Sequence, residues 1–115
     1  MFACKIYDLQ NFSASELIQI LTEAKINSML RSEHCVRHYQ SIKTATKLYL
    51  IFELANAFDL ETLLRERGTL KQDEARIVMR QLVKGLRDLQ ILKIVHRDLK
   101  LANVLLHFPN LENFE

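Results

Sequence analysis

From residue 96 to residue 103 the chain reads His96-Arg97-Asp98-Leu99-Lys100-Leu101-Ala102-Asn103, which sets a carboxylate, a cation and an amide close together. Asp98 can accept the hydrogen bond of a hydroxyl and, late in a transfer step, its proton. Lys100 can hold positive charge against a group whose oxygens are becoming more negative. Asn103 offers a neutral oxygen to Mg2+, a hard cation that prefers oxygen donors and keeps several waters. These residue types suit phosphoryl transfer to a hydroxyl, where catalysis is mostly positioning and electrostatics.

The run resembles the catalytic loop of protein kinases, whose signature pairs an aspartate base with a magnesium-binding asparagine. Six matched positions, at roughly one chance in twenty each, make coincidence rarer than about one in ten million per start site. The resemblance implies that Asp98 is the base, Lys100 the phosphate cation in the serine/threonine version of the loop, and Asn103 a Mg2+ ligand. It implies architectural roles for His96, packed into the core, and for Arg97, which in the family often contacts a phosphorylated activation loop. The family usually has proline where Leu101 stands, a departure that removes no chemical group.

Such a loop needs a second element upstream, because kinases hold the ATP phosphates with a strand lysine paired to a helix glutamate. Met1-Phe2-Ala3-Cys4-Lys5-Ile6-Tyr7 resembles the family's V-A-I-K strand, with Cys4 in the isoleucine position and Lys5 as the phosphate lysine. Ser13 and Glu16 have capping-box spacing, and Leu17, Ile20, Leu21 and Ala24 follow at helical intervals, so a helix carrying Glu23 is expected. The text from Lys5 through Glu23 to His34 and Val36 resembles the family's third strand, C helix and fourth strand. Taken alone, a lysine on a strand and a glutamate on a helix are ordinary surface charges; their position relative to His96 is what makes them a candidate clamp.

Between these elements, Leu48-Tyr49-Leu50-Ile51-Phe52-Glu53-Leu54 is an apolar, β-prone run of strand length. It resembles the fifth strand leading into the kinase hinge. That implies Phe52 as gatekeeper, the Glu53 carbonyl and the Ala55 amide facing adenine, and Asp59 near the ribose. The family commonly has small residues or glycine where Ala57 and Phe58 stand; Phe58 is expected either to narrow access or to pack on the following helix.

The remaining segments read as scaffold. Leu60 to Arg67 predicts a short helix ended by Gly68, whose missing side chain suits a left-handed cap. From Gln72 onward, Ala75, Val78, Met79, Leu82, Val83, Leu86 and Leu89 recur at three- and four-residue spacing, which predicts one long amphipathic helix. Arg76, Arg80, Lys84 and Arg87 on its other side read as a solvated face. Gly85 costs about 1 kcal/mol of helix propensity against alanine, tolerable in a helix held by packing. Ile94 and Val95 feed the loop, Val104 to Leu106 predict a short strand after it, and Phe108-Pro109-Asn110-Leu111 predicts a surface loop.

A formal charge of +2 is too small to argue for a nucleic-acid partner. No apolar run approaches the ~20 residues that span a bilayer, and the opening residues lack a signal-peptide pattern, so a cytoplasmic location is expected. Cys4 and Cys35 fall in core-like segments and read as reduced thiols. No histidine pair has zinc-ligand spacing with cysteines, and there is no internal repeat or low-complexity tract.

The resemblance covers nearly all of the 115 residues yet less than half of a kinase domain. A glycine-rich loop before the lysine strand and a D-F-G after the catalytic loop are not in the sequence, whose two glycines are Gly68 and Gly85. The lysine strand is therefore expected at a sheet edge, and the long helix is expected to expose an apolar stripe. Asn27 and His38 fall where the family usually stacks apolar residues on the catalytic-loop histidine; buried there, they need polar partners.

Together these features predict an α+β, kinase-like two-lobe fold, incomplete, with residues 1–54 as the portion from the third strand to the hinge and 55–115 as the start of the helical lobe. The stretch from Glu53 to Asn103 also resembles the unc-51-like branch. The expected reaction is transfer of the ATP γ-phosphoryl group to protein serine or threonine hydroxyls, with ATP and Mg2+ as cofactors, a protein substrate and an unidentified regulatory partner. A catalytically inactive regulatory or binding piece is the alternative. A helical interaction module unrelated to kinases is the third reading.

Overall fold

The computed structural model of the chain describes residues 1–109. Its elements run β1 (Phe2–Asp8), a 3-10 turn (Leu9–Asn11), α1 (Ala14–Met29), β2 (His38–Lys43), β3 (Lys47–Glu53), α2 (Leu60–Arg67), α3 (Gln72–Ile91) and a second 3-10 turn (Leu101–Asn103). They divide into two units, Met1–Leu54 and a second that starts at Ala55.

In the first unit three antiparallel strands lie in the order β1-β3-β2, so β1 is an edge strand. Side chains alternate across a strand, and this alternation decides what is buried. On β3, Leu48 and Leu50 face inward and are each 2% exposed. The register sets Tyr7 opposite Leu48, Lys5 opposite Leu50 and Ala3 opposite Phe52, so Lys5 belongs to the inward face. The same alternation sends Phe2, Cys4 and Ile6 to the other face, where Phe2 meets the edge of Tyr39 at 5.2 Å between centroids. Cys4, expected in a core-like segment, is therefore exposed.

Helix α1 begins with the capping box its sequence predicts. The Ser13 N–H donates to Glu16 Oε2 at 2.7 Å, and the Glu16 N–H donates to Ser13 Oγ at 3.4 Å. Ile20 and Ala24, one turn apart, are buried with Leu48 and Leu50, and Tyr7, Leu9, Phe12 and Phe52 close the cluster. The strand expected around His34 and Val36 begins only at His38, because pairing with β3 starts there, at the His38–Phe52 position beside a bulge. Arg37, just before the strand, hydrogen-bonds Glu53 alone: its carbonyl accepts from the Glu53 N–H and its N–H donates to Glu53 Oε1, each at 2.9 Å.

In the second unit α2 starts and stops as its sequence predicts. Asp59 Oδ1 accepts from the Thr62 N–H at 2.8 Å, and Gly68 ends the helix at φ 82°, its N–H bonded to the Leu64 carbonyl at 2.7 Å. Arg67 grips Glu74 with two bonds of 3.0 and 3.1 Å, tying the end of α2 to the start of α3. Along α3, Gly85 and Leu89 are buried, whereas Ile77, Met79 and Val83 are more than half exposed. Only part of the predicted apolar stripe is thus used as core. Ala75, Val78, Met79 and Leu82 border a groove of about 390 Å3 whose other side includes Leu64 and Leu99.

The short strand expected over Val104–Leu106 reduces to one bridge, Leu105 opposite Asp59. Asn110 and Leu111 of the expected surface loop lie outside the described residues. Among the described residues no helix is long and apolar enough to cross a membrane.

Two measurements check this account. Leu50→Ala should lower unfolding stability by roughly 2–5 kcal/mol in urea, because Leu50 is the most enclosed side chain of a small core; a loss under about 1 kcal/mol would show that the sheet and α1 do not share that core. Acid should destabilise the chain through its helix caps. The Ser13 backbone holds the Glu16 carboxyl below the usual carboxylate range, the Thr62 amide does the same for Asp59, and Arg67 does so for Glu74. Groups with depressed folded pKa values stabilise fully above the unfolded range and lose that contribution as pH falls through their folded values. Urea midpoints should therefore fall on acidification below the usual carboxylate range, and Glu16→Gln with Glu74→Gln should flatten that fall.

Candidate active site

The loop from His96 to Asn103 contains no regular element until its closing 3-10 turn, so hydrogen bonds and backbone angles shape it. Arg97 adopts φ 68°, a left-handed conformation uncommon for a residue with a side chain. This reverses the chain, and the Asp98 N–H then donates to His96 Nδ1 at 3.2 Å. Asn103 closes the loop from the other end. Its Nδ2 donates to the Asp98 carbonyl at 2.8 Å and to Asp98 Oδ2 at 3.1 Å. Lys100 Nζ stands 3.5 Å from Asp98 Oδ1.

Three of the sequence-predicted residues are therefore brought together. Asp98 is held at backbone and carboxylate, Lys100 lies alongside it, and the Asn103 amide is oriented by Asp98. With the Asn103 nitrogen directed at Asp98, its Oδ1 is the atom left for a cation. Asp98 and Lys100 remain more than half exposed, so both can meet a substrate from solvent. His96 is exposed where packing was expected, and its part in the loop is as acceptor for the Asp98 amide. Arg97 is exposed as well.

Among the described residues no cluster of three His, Cys, Asp or Glu side chains could hold a metal ion. The donor set still suits Mg2+. That ion usually takes one or two protein oxygens and fills its shell with phosphate and water, so Asn103 Oδ1 can serve as one of its ligands.

The residues assigned to nucleotide are less assembled. In the first unit, Lys5 Nζ lies 4.9 Å from the centre of the Tyr7 ring, a cation–π contact along its own strand. Glu23 sits on α1 between the buried Ile20 and Ala24 but is itself exposed, and no ion pair joins it to Lys5. Glu53 uses both its N–H and its Oε1 on the backbone of Arg37, each at 2.9 Å. Phe52 packs inward and receives the His38 ring edge-on at 5.4 Å. His38 is 7% exposed and has the partner its burial requires, Ser41 Oγ, 2.9 Å from Nε2.

In the second unit, Ala55 is half-buried and Asp59 spends both carboxylate oxygens on Thr62, Oδ2 on the hydroxyl at 3.0 Å. A carboxylate has about four lone-pair sites, so Asp59 keeps capacity for a further donor. Phe58 is 65% exposed, so it does not pack into the following helix as one expectation had it. Sequence reasoning passed over Asn56. Its Nδ2 donates to the Phe108 carbonyl at 2.7 Å, and its Oδ1 accepts from the Phe108 N–H at 2.8 Å. The available signal was a lone carboxamide in an otherwise apolar run following the strand.

The protein kinase domain model matches residues 1–112 of the chain. In Arabidopsis thaliana the chain is similar to the SNF1-related protein kinase catalytic subunit alpha KIN12, 37% identical over 77% of this chain. It is also 38% and 35% identical, over 93% of its length, to the proteins named "Probable serine/threonine protein kinase IRE4" and "Probable serine/threonine protein kinase IRE". It spans 18%, 10% and 9% of those three relatives. None of the three names places it in the unc-51-like branch. The match runs unbroken from the lysine strand through a loop folded around Asp98, and with serine/threonine kinases as relatives it makes this chain a member of the protein kinase family.

Proposed function

We propose that the chain serves ATP-dependent serine/threonine protein phosphorylation, carrying the catalytic loop and part of the nucleotide site. The observation that carries this reading is the Asp98 carboxylate, with Asn103 Nδ2 3.1 Å from one oxygen and Lys100 Nζ 3.5 Å from the other. A protein hydroxyl donates its hydrogen bond to Asp98, which aligns the oxygen with the γ-phosphorus. As that oxygen bonds to phosphorus, the bond from phosphorus to the β–γ bridging oxygen breaks, ADP leaves and the hydroxyl proton passes to Asp98. Lys100 offsets the charge on the transferring oxygens. Mg2+, when bound, would neutralise phosphate oxygens, and Asn103 Oδ1 would help to hold it, leaving Asp98 free to act as the base. Arg97 supports the loop by its reversed backbone.

Lys5 and Glu23 would form the phosphate clamp, and the Glu53 carbonyl and Ala55 amide would meet adenine, with Asp59 toward the ribose. One observation favours a second reading, a catalytically inactive kinase-derived binding piece: Lys5 rests on Tyr7 and not on Glu23. An active kinase requires that pair in place.

Thermal unfolding tests the nucleotide binding that both readings share, and turnover separates them. ATP with Mg2+ at about a hundredfold over its Kd should stabilise the chain by about 2.7 kcal/mol, and Lys5→Met should remove most of that gain. No shift in the unaltered chain would exclude nucleotide from both readings. In a phosphorylation assay on a generic basic protein, Asp98→Asn should lower turnover at least about a hundredfold with ATP affinity nearly unchanged. Retained turnover would refute its role as base.

A further inference from the structure

The segment 56–60 runs antiparallel to 104–108, and its rungs follow a regular register. The Leu60 N–H donates to the Val104 carbonyl at 2.8 Å, Leu105 is bridged to Asp59, and the Leu106 N–H donates to the Phe58 carbonyl at 3.0 Å. The next rung in this series pairs residue 56 with residue 108. In an antiparallel ladder a hydrogen-bonded pair exchanges both its N–H···O bonds through the backbone. Here the Asn56 side chain does so instead, giving its N–H to the Phe108 carbonyl at 2.7 Å and taking the Phe108 N–H at 2.8 Å. A carboxamide has the donor and acceptor geometry of a peptide group, so it can stand in for one.

This side-chain rung lies at the far end of a ladder too short to form a strand. It spans 52 residues of sequence, which makes it a long-range restraint on two otherwise irregular segments. One segment carries Ala55 and Asp59; the other leaves the loop of Asp98 and Asn103 directly through Val104. We propose that Asn56 is a positioning residue for nucleotide, which completes this ladder and so fixes the Ala55–Asp59 segment against the exit of the catalytic loop. The proposal rests on the nucleotide-binding reading given above.

The test uses the whole 115-residue chain, with amide hydrogen exchange and nucleotide titration on the same samples and helix content checked by circular dichroism. Asn56 is exposed, so its replacement disturbs no core. In Asn56→Ala, exchange at the Phe108 amide should speed about tenfold and spread to Leu106, as a net hydrogen bond is lost and the ladder frays from that end. The affinity for ATP with Mg2+ should fall by about threefold to tenfold, while that for tripolyphosphate with Mg2+ should stay within about twofold, because only the adenosine-facing segment is released. Asn56→Asp keeps the acceptor for the Phe108 N–H and loses the donor. It should protect that amide better than alanine does yet still weaken ATP.

Unchanged exchange at Phe108 in Asn56→Ala would overturn the clamp. Faster exchange with unaltered ATP affinity would leave a structural rung and overturn the positioning role, as would equal losses for ATP and tripolyphosphate. If the unaltered chain binds no ATP, the nucleotide reading fails and the positioning role fails with it; the exchange result then still decides whether the clamp exists.

Discussion

The chemistry open to this chain depends on the amide of Asn103. A loop without regular structure leaves its aspartate free to turn, and a base that turns cannot hold a hydroxyl in line. By bonding both the carbonyl and the carboxylate of Asp98, Asn103 converts a surface side chain into one with a set direction. The same bonds orient Asn103, so each residue fixes the other. Lys100 then completes the group by charge, and His96 steadies the Asp98 backbone from the other side. Local hydrogen bonds here do work that a packed core does elsewhere, and for that reason the groups can be at once exposed and ordered.

The first unit works by the opposite means. Its order comes from burial, with Leu48 and Leu50 pressed against Ile20 and Ala24. Strand alternation then places Lys5 on the face that α1 covers. Position on that face does not by itself close the proposed clamp, since the Lys5 ammonium rests over the Tyr7 ring and forms no ion pair with Glu23. Cation–π contacts at exposed sites are worth only about 0.5–1 kcal/mol, so a polyphosphate could displace this one readily.

Local signals were legible in the sequence and long-range ones were not. The Ser13–Glu16 box, the span of α2 with its Gly68 end and the length of α3 depend on local neighbours, and each stands where its pattern put it. The loop signature likewise brought Asp98, Lys100 and Asn103 together, because all three lie within six residues of sequence. The start of β2 shifted because a strand begins where its partner lies, which the run His34–Val36 does not encode. The Val104–Leu106 segment is β-prone, but it meets only the short stretch 58–60 and forms one bridge. Which residues of α3 are buried also depends on what packs against it, and its periodicity specifies only a side. His38 shows a polar residue accepted at an inward position because a bulge and Ser41 supply its partner.

The positive φ of Arg97 carries a cost that no contact within the loop removes. A left-handed residue with a side chain stores about 1–2 kcal/mol relative to glycine at the same angles. Selection for folding alone would therefore drift toward glycine at this position and relax the turn. With arginine there, the loop is less stable than its backbone geometry would allow. The reversal before Asp98 is in this sense a reserve of conformational energy, set directly before the carboxylate it turns.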